Sequence, residues 1–206
     1  MLYIGIDLGT SAVKLLLMDE EGQIKNEISR EYPLEFPQPG WSQQNPEDWK
    51  AAVLEGVPAL LEGFDKSQVA GIGAGGQMHG LVVLDEHDQV IRPAILWNDG
   101  RTAQEVDYLN EVVGREKLSA LTANIAFAGF TAPKILWMKK HEPENFARIR
   151  KIMLPQGLHQ LHPHRRPLHR LLRRQRHAAA GRGAQVLEPG DARPLRHYRE
   201  PDAQAL

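Results

Sequence analysis

Short apolar runs separated by turn residues open the chain. Leu2–Asp7 is apolar and carries β-favouring Tyr and Ile, which predicts a buried strand. Gly9-Thr10-Ser11 turns the chain, Ala12–Met18 is a second apolar run, and Asp19-Glu20-Glu21-Gly22 turns it again. Gln23–Tyr32 alternates weakly between apolar and polar positions, as a half-buried strand does. These segments predict a three-stranded antiparallel meander with the Gly9 turn at its tip. Prolines at 33, 37 and 39 mark residues 33–46 as a loop.

The period then lengthens. Asn45-Pro46-Glu47-Asp48 has the order of a helix start: an amide cap, proline in the first turn, then acids near the positive end of the dipole. The helix should reach about Gly63, with Trp49, Val53, Val57, Leu60 and Leu61 facing inward. Val69–Ala74 predicts a strand ending in Gly75-Gly76. Leu81–Leu84 and Val90–Ile95 should pair around Asp85-Glu86-His87-Asp88. Thr102–Val113, Ala132–His141 and Pro143–Arg148 read as helices, and Lys151–Leu154 as the start of a strand. Antiparallel strands followed by helix–strand alternation argue for an α/β fold with a mixed sheet and flanking helices.

Composition changes this picture at one place. The 206 residues have a formal charge of −1, but residues 1–156 hold 15 basic and 22 acidic residues, whereas 157–206 hold ten Arg, no Lys and four acids. A third of the first part, 52 residues, lies outside the set Leu, Pro, His, Gln, Arg, Val, Ala, Asp, Glu, Gly; after Gln156 only Tyr198 does. That set is what codons beginning with C or G encode. Protein physics supplies no such filter, whereas a GC-rich gene read out of frame does. Residues 157–206 are therefore expected to be a frameshifted, poorly ordered basic tail beginning near Gln156–Gly157. A basic arm for nucleic acid and a metal site at His159, His162 and His164 are weaker readings of the same residues. The chain has no cysteine, which excludes disulfide scaffolds and thiolate chemistry. It shows neither a signal peptide nor a membrane-length apolar run, so a cytoplasmic setting without membrane partners is expected.

Four segments carry candidate chemistry. In Asp7-Leu8-Gly9-Thr10-Ser11 a carboxylate near a strand end is followed by a glycine and two hydroxyls. Backbone N–H groups and hydroxyls in such a turn can bind phosphate oxygens, and Asp7 can hold Mg²⁺ directly or through water; a plain hairpin is the alternative. Gly73-Ala74-Gly75-Gly76-Gln77-Met78-His79-Gly80 presents polar side chains at a strand's carboxyl end, where α/β ligands collect; the alternative is a glycine-rich turn with a surface histidine. Leu96-Trp97-Asn98-Asp99-Gly100-Arg101 offers an apolar ring with an amide, a carboxylate and a guanidinium for a sugar, or else a helix start capped by Asp99 with Trp97 in the core. Gly129–Trp137 leads into the 132–141 helix with Thr131 as cap and Pro133 in its first turn; Phe130 and Thr131 could border a cleft, and a packed amphipathic helix burying Ile135 and Trp137 is the alternative.

In this order and spacing the four segments resemble the FGGY carbohydrate kinases over residues 1–156, nearest to the members that act on a ketopentose. The resemblance implies an actin-like ATPase (ribonuclease H-like) N-terminal domain, incomplete, from a parent of roughly 500 residues. It implies ATP and Mg²⁺ as cofactors and D-xylulose as substrate, giving D-xylulose 5-phosphate, in a family often homodimeric and with no nucleic-acid partner. Asp7 would lie at the metal and phosphates with Gly9, Thr10 and Ser11. Gln77, Met78 and His79 would bind the sugar, and Trp97, Asn98, Asp99 and Arg101 would line or support its site. The catalytic base belongs to the family's second domain; neither Asp191 nor Asp202 sits in a matching motif, so the chain alone is expected to be inactive. The family commonly continues with Lys-Asp-Tyr-x-x-Tyr-x-Leu-Thr-Gly after the strand at 151, and the codons of residues 157 onward permit Asp-Tyr-Ile-Asn-Tyr-Ile-Leu-Thr-Gly in a neighbouring frame. Another sugar or polyol kinase, a chaperone- or actin-like ATPase, and a non-catalytic sugar- or nucleic-acid-binding module are the alternatives.

Overall fold

A computed structural model describes residues 1–157. The tail expectations, including His159, His162, His164, Asp191 and Asp202, lie outside the described residues.

The meander forms as expected: β1 (Leu2–Leu8), β2 (Ala12–Asp19) and β3 (Ile24–Glu31) pair antiparallel in chain order. β1 buries Leu2, Ile4, Ile6 and Leu8 on one face and β2 buries Val13, Leu15 and Leu17, the two-residue period of a sheet with one face on the core. After the loop, a two-residue strand β4 (Gln43–Gln44) leads into α1 (Pro46–Leu60). Asn45 caps this helix by accepting from the Glu47 N–H at 3.1 Å. All five inward positions read from its period are buried, Trp49 and Leu60 almost completely. Gly56 is where α1 presses on the sheet, since a Cβ there would run into the Leu15 side chain.

α1 returns the chain to β5 (Val69–Gly76), which lies parallel to β1 with Leu8 opposite Gly76. The main sheet is therefore β3-β2-β1-β5, mixed as predicted. The tip of the meander and the carboxyl end of β5 consequently share one edge, which places the first two candidate segments side by side.

The hairpin at 81–95 differs from expectation. β6 (Val82–Leu84) meets Val90 and Ile91 near the turn, but only Ala94–Ile95 forms a strand, β7, and it pairs with β4. Pro93 lacks the N–H a continuous ladder would need. β6 pairs instead with β8 (Lys151–Met153), the strand expected at 151. All three residues of β6 are buried because Val82 and Leu84 join the first core and Val83 joins a second, with Leu81, Ile95, Trp137 and Met138.

The helix predicted at 102–113 starts as α2 (Ala103–Asp107), widens into a π-helical stretch over Tyr108–Gly114, and reverses direction at Gly114 (φ +96°) into α3 (Arg115–Thr122), an element the apolar pattern did not announce. α4 (Thr131–His141) and α5 (Pro143–Arg148) match expectation in extent. Phe130, not Thr131, holds the capping position of α4, and the Thr131 hydroxyl donates elsewhere. No helix among the described residues is long and apolar enough to cross a membrane.

Candidate functional site

The turn between β1 and β2 is closed by the Gly9 N–H donating to the Ala12 carbonyl at 3.0 Å. Its remaining carbonyls are held from below. Tyr32 Oη donates to the Gly9 carbonyl, with Gln77 Nε2 at 3.4 Å from the same oxygen. Gln44 Nε2 donates to the Thr10 carbonyl at 2.7 Å and to the Pro33 carbonyl at 3.0 Å. In a trans peptide the N–H points opposite to the C=O. Pinning the Gly9 and Thr10 carbonyls inward therefore turns the Thr10 and Ser11 N–H groups outward, and neither meets an acceptor among the described residues. Two outward N–H groups beside two hydroxyls make an anion-binding concavity.

Asp7 stands next to this turn, exposed near the end of β1, its carboxylate without a hydrogen-bond or ion-pair partner among the described residues. Its charge is felt by Tyr32: burial and the Asp7 carboxylate together push the phenol above the usual tyrosine range, keeping it a donor to Gly9. One exposed carboxylate beside outward N–H groups fits Mg²⁺, which takes few protein carboxylates and completes its shell with phosphate and water oxygens. No cluster of three or more acidic or histidine ligands exists among the described residues.

The second segment divides at Gln77. This side chain is buried beneath the Gly9 turn, its Nε2 facing Gly9 and Gln44 Oε1, so its place is under the turn rather than on an open wall. Gly76 permits the crossing, since a Cβ would lie 2.9 Å from the Leu8 carbonyl oxygen. Met78 is 53% exposed. His79 has φ +61°, and the following Gly80 N–H donates back to the Met78 carbonyl at 2.8 Å. This is a three-residue turn with a left-handed central residue, a conformation that costs about 1–3 kcal/mol and persists where the surroundings enforce it. The imidazole packs on Phe130 with ring centres 4.6 Å apart.

The third segment alternates outward and inward. Trp97 is 45% exposed, not a core residue, and its indole Nε1 donates to Thr10 Oγ1 at 3.1 Å. Asn98 is also exposed. Asp99 and Arg101 have fully buried side chains. The Asp99 carboxylate accepts from the Ser42 N–H at 2.6 Å, the Arg101 N–H at 2.9 Å, and the Arg101 guanidinium through Nε at 2.9 Å and Nη2 at 2.8 Å. That guanidinium lies 3.9 Å from the centre of the Trp41 ring. Asp99 and Arg101 thus support the Trp97–Asn98 turn from behind instead of facing a ligand. A groove of about 480 Å³ is lined by Phe36, Pro39, Trp41 and Asn98 among others.

Lys134 joins the walls. It is fully buried on α4, three and four residues before Trp137 and Met138, and its Nζ donates to the carbonyls of His79 at 2.9 Å and Gly129 at 2.6 Å. Burial pulls its pKa down to about 8, with Asp99 pulling upward and Arg101 downward. The sequence had placed Lys134 on a helix without a role; a lysine in phase with an apolar stripe was the available signal. Tyr32 and Gln44 carried no comparable signal, because their partners are backbone carbonyls distant in sequence.

The mixed sheet with its flanking helices is the N-terminal part of the actin-like ATPase fold found in sugar kinases. A xylulose kinase from Brucella ovis superposes with a TM-score of 0.73 at 44% identity, over 78% of this chain and 34% of that one. A gluconate kinase from Lactobacillus acidophilus superposes at 0.72 with 26% identity, over 76% and 32%. The model of the FGGY family of carbohydrate kinases, N-terminal domain, matches residues 2–160, and the chain belongs to that family. Xylulose kinases of Staphylococcus xylosus and Escherichia coli are each 45% identical, over 74% and 75% of this chain. The chain spans about a third of the length of these relatives.

Proposed function

We propose that residues 1–156 are the sugar-holding part of an ATP-dependent kinase that makes D-xylulose 5-phosphate from D-xylulose. The observation that carries this reading is the hydrogen bond from Trp97 to Thr10. It sets the exposed indole, an apolar face for a sugar ring, against the turn whose N–H groups point outward. An acceptor hydroxyl held by His79 and Trp97 would then lie beside the phosphoryl oxygens.

The residues divide the work. Thr10 and Ser11 offer N–H and hydroxyl donors to the transferred group, where charge develops. Asp7 would hold Mg²⁺, which when bound neutralises phosphate charge. Met78, His79, Trp97 and Asn98 bind and orient the sugar. Gln77, Asp99 and Arg101 keep those residues in place. The hydroxyl oxygen forms its bond to the γ-phosphorus as the bond to ADP breaks, and its proton goes to a base outside these residues. Use of ATP argues for a cytoplasmic setting.

Residues 157–206 we read as the product of a shifted frame. The border in composition supports this, as does the end of the family match at residue 160, a few residues beyond it. On this reading the chain binds sugar without turning it over. Incubation of the 206-residue chain with D-xylulose and Mg²⁺–ATP, with ADP release coupled to NADH oxidation, should give background rates, while calorimetry with D-xylulose alone should show binding. Sugar-dependent ADP release would overturn the division of labour; binding of gluconate or glycerol in preference to D-xylulose would overturn the substrate.

A further inference from the structure

The His79 turn is strained and half-exposed, so something beneath it must hold it. Two side chains reach the His79 carbonyl: the Thr131 hydroxyl at 3.1 Å and the Lys134 ammonium at 2.9 Å. The same ammonium reaches the Gly129 carbonyl. Gly129 in turn lies so close to Trp97 that a Cβ would sit 2.7 Å from the Trp97 carbonyl oxygen. One buried head group therefore ties together the His79 turn, the segment carrying Phe130, and the backbone of the Trp97 turn. No carboxylate bonds to it among the described residues. An ammonium in such a place gives up water for two neutral carbonyls, an unfavourable exchange if stability were its whole purpose. A methionine of similar length would fill the same space at lower cost.

We propose that Lys134 is a positioning residue whose bonds to His79 and Gly129 fix the two walls of the sugar site relative to each other and so set its affinity. This rests on the reading of His79 and Trp97 as the sugar-binding walls. The Lys134 ammonium bonds backbone carbonyls of both segments, and so acts through the backbone of residues that form the walls. The bulk of the fold does not depend on it, because the sheet and α1 are packed on a separate core.

The test compares the wild-type 206-residue chain with Lys134→Met, and with Lys139→Met on the exposed side of the same helix as control. Amide hydrogen exchange reads the turn through the Gly80 N–H and the core through Ile4 and Ile6; calorimetry reads D-xylulose affinity. Lys134→Met should speed Gly80 exchange at least tenfold and weaken sugar binding at least tenfold, with the core amides and the control unchanged. A folded Lys134→Met chain with wild-type protection at Gly80 overturns the proposal whatever the sugar does. A loosened Gly80 turn in a protein whose wild-type form binds no D-xylulose supports the positioning role and defeats the sugar reading. If Lys134→Met does not fold, scalar couplings across the hydrogen bonds, from ¹⁵Nζ of Lys134 to the carbonyl carbons of His79 and Gly129, decide the matter in the wild-type chain. Their presence at pH 6 supports the role and their absence overturns it.

Discussion

Replacing Asp99 by asparagine removes one charge and almost no volume from the centre of the supporting network. The consequence follows from the donors around the carboxylate. The Ser42 N–H points at Oδ2 and the Arg101 N–H at Oδ1, while the guanidinium spans both oxygens. An amide has one acceptor and one donor end, so whichever way the new side chain turned, its NH₂ would face a backbone N–H. The Arg101 guanidinium, fully buried over Trp41, would also lose its anionic partner. Breaking one side of a buried ion pair costs about 3–5 kcal/mol. For a protein of this size each kcal/mol is worth about 2–4 °C in Tm, so the midpoint should fall by roughly 6–20 °C. The assay is urea unfolding of Asp99→Asn, Arg101→Met and the double variant, followed by tryptophan fluorescence. Arg101→Met leaves Asp99 its two backbone donors and should cost less than Asp99→Asn. The double variant should be more stable than the sum of the singles allows, by at least about 1 kcal/mol, since it removes both charges. A loss below about 1 kcal/mol for Asp99→Asn, or strict additivity in the cycle, would refute the claim that this pair braces the Trp97 turn.

Other consequences are smaller or more local. Tyr32→Phe deletes the main donor to the Gly9 carbonyl and leaves Gln77 at 3.4 Å, so it should cost about 1 kcal/mol in thermal unfolding. Gly76→Ala sets a Cβ against the Leu8 backbone and should cost about 1–3 kcal/mol, whereas Gly73→Ala meets nothing within 4 Å and should stay within about 0.5 kcal/mol of wild type. Lys134 gives a pH signature. Its folded pKa, about 8, lies below the ordinary lysine value. Between those two values the unfolded chain binds a proton that the folded chain has released, so stability rises with pH by up to about 1.4 kcal/mol per unit. The cost is fully present below pH 8. Unfolding free energies measured from about pH 7 to 10 should therefore climb for wild type relative to Lys134→Met, and a constant difference would show that burial does not shift this lysine.

The parts of the fold legible in the sequence are those where local pattern and tertiary demand coincide. β1 and β2 alternate because one face lies on the core that α1 helps to close, and Asn45-Pro46 caps α1 by contacts within a few residues. The strand at 90–95 misled because Pro93 breaks its ladder and β4 and β8, distant in sequence, take the partners. α3 was missed because Arg115–Thr122 buries no residue and so leaves no apolar stripe. In the candidate site, Asp7, Thr10, Ser11, Met78, His79 and Trp97 stand at or beside the turns that their motifs suggested. Motif position alone did not separate residues that face outward from those that hold them. Gln77 and Asp99 look like ligand groups in sequence and lie buried as supports, while Tyr32, Gln44 and Lys134 do their holding through backbone carbonyls, which no side-chain motif records.

The central claim is that one sugar site is built jointly by the His79 turn and the Trp97 turn beside the phosphate loop. Titration of the ¹⁵N-labelled 206-residue chain with D-xylulose, followed by amide and indole resonances, tests it most directly. The account predicts saturable shifts at His79, Gly80, Phe130 and the Trp97 indole, with the Val57 amide, on the core side of α1, unmoved. Saturable shifts confined to the Phe36–Trp41 groove, or no shifts in a folded chain at high sugar concentration, would contradict it.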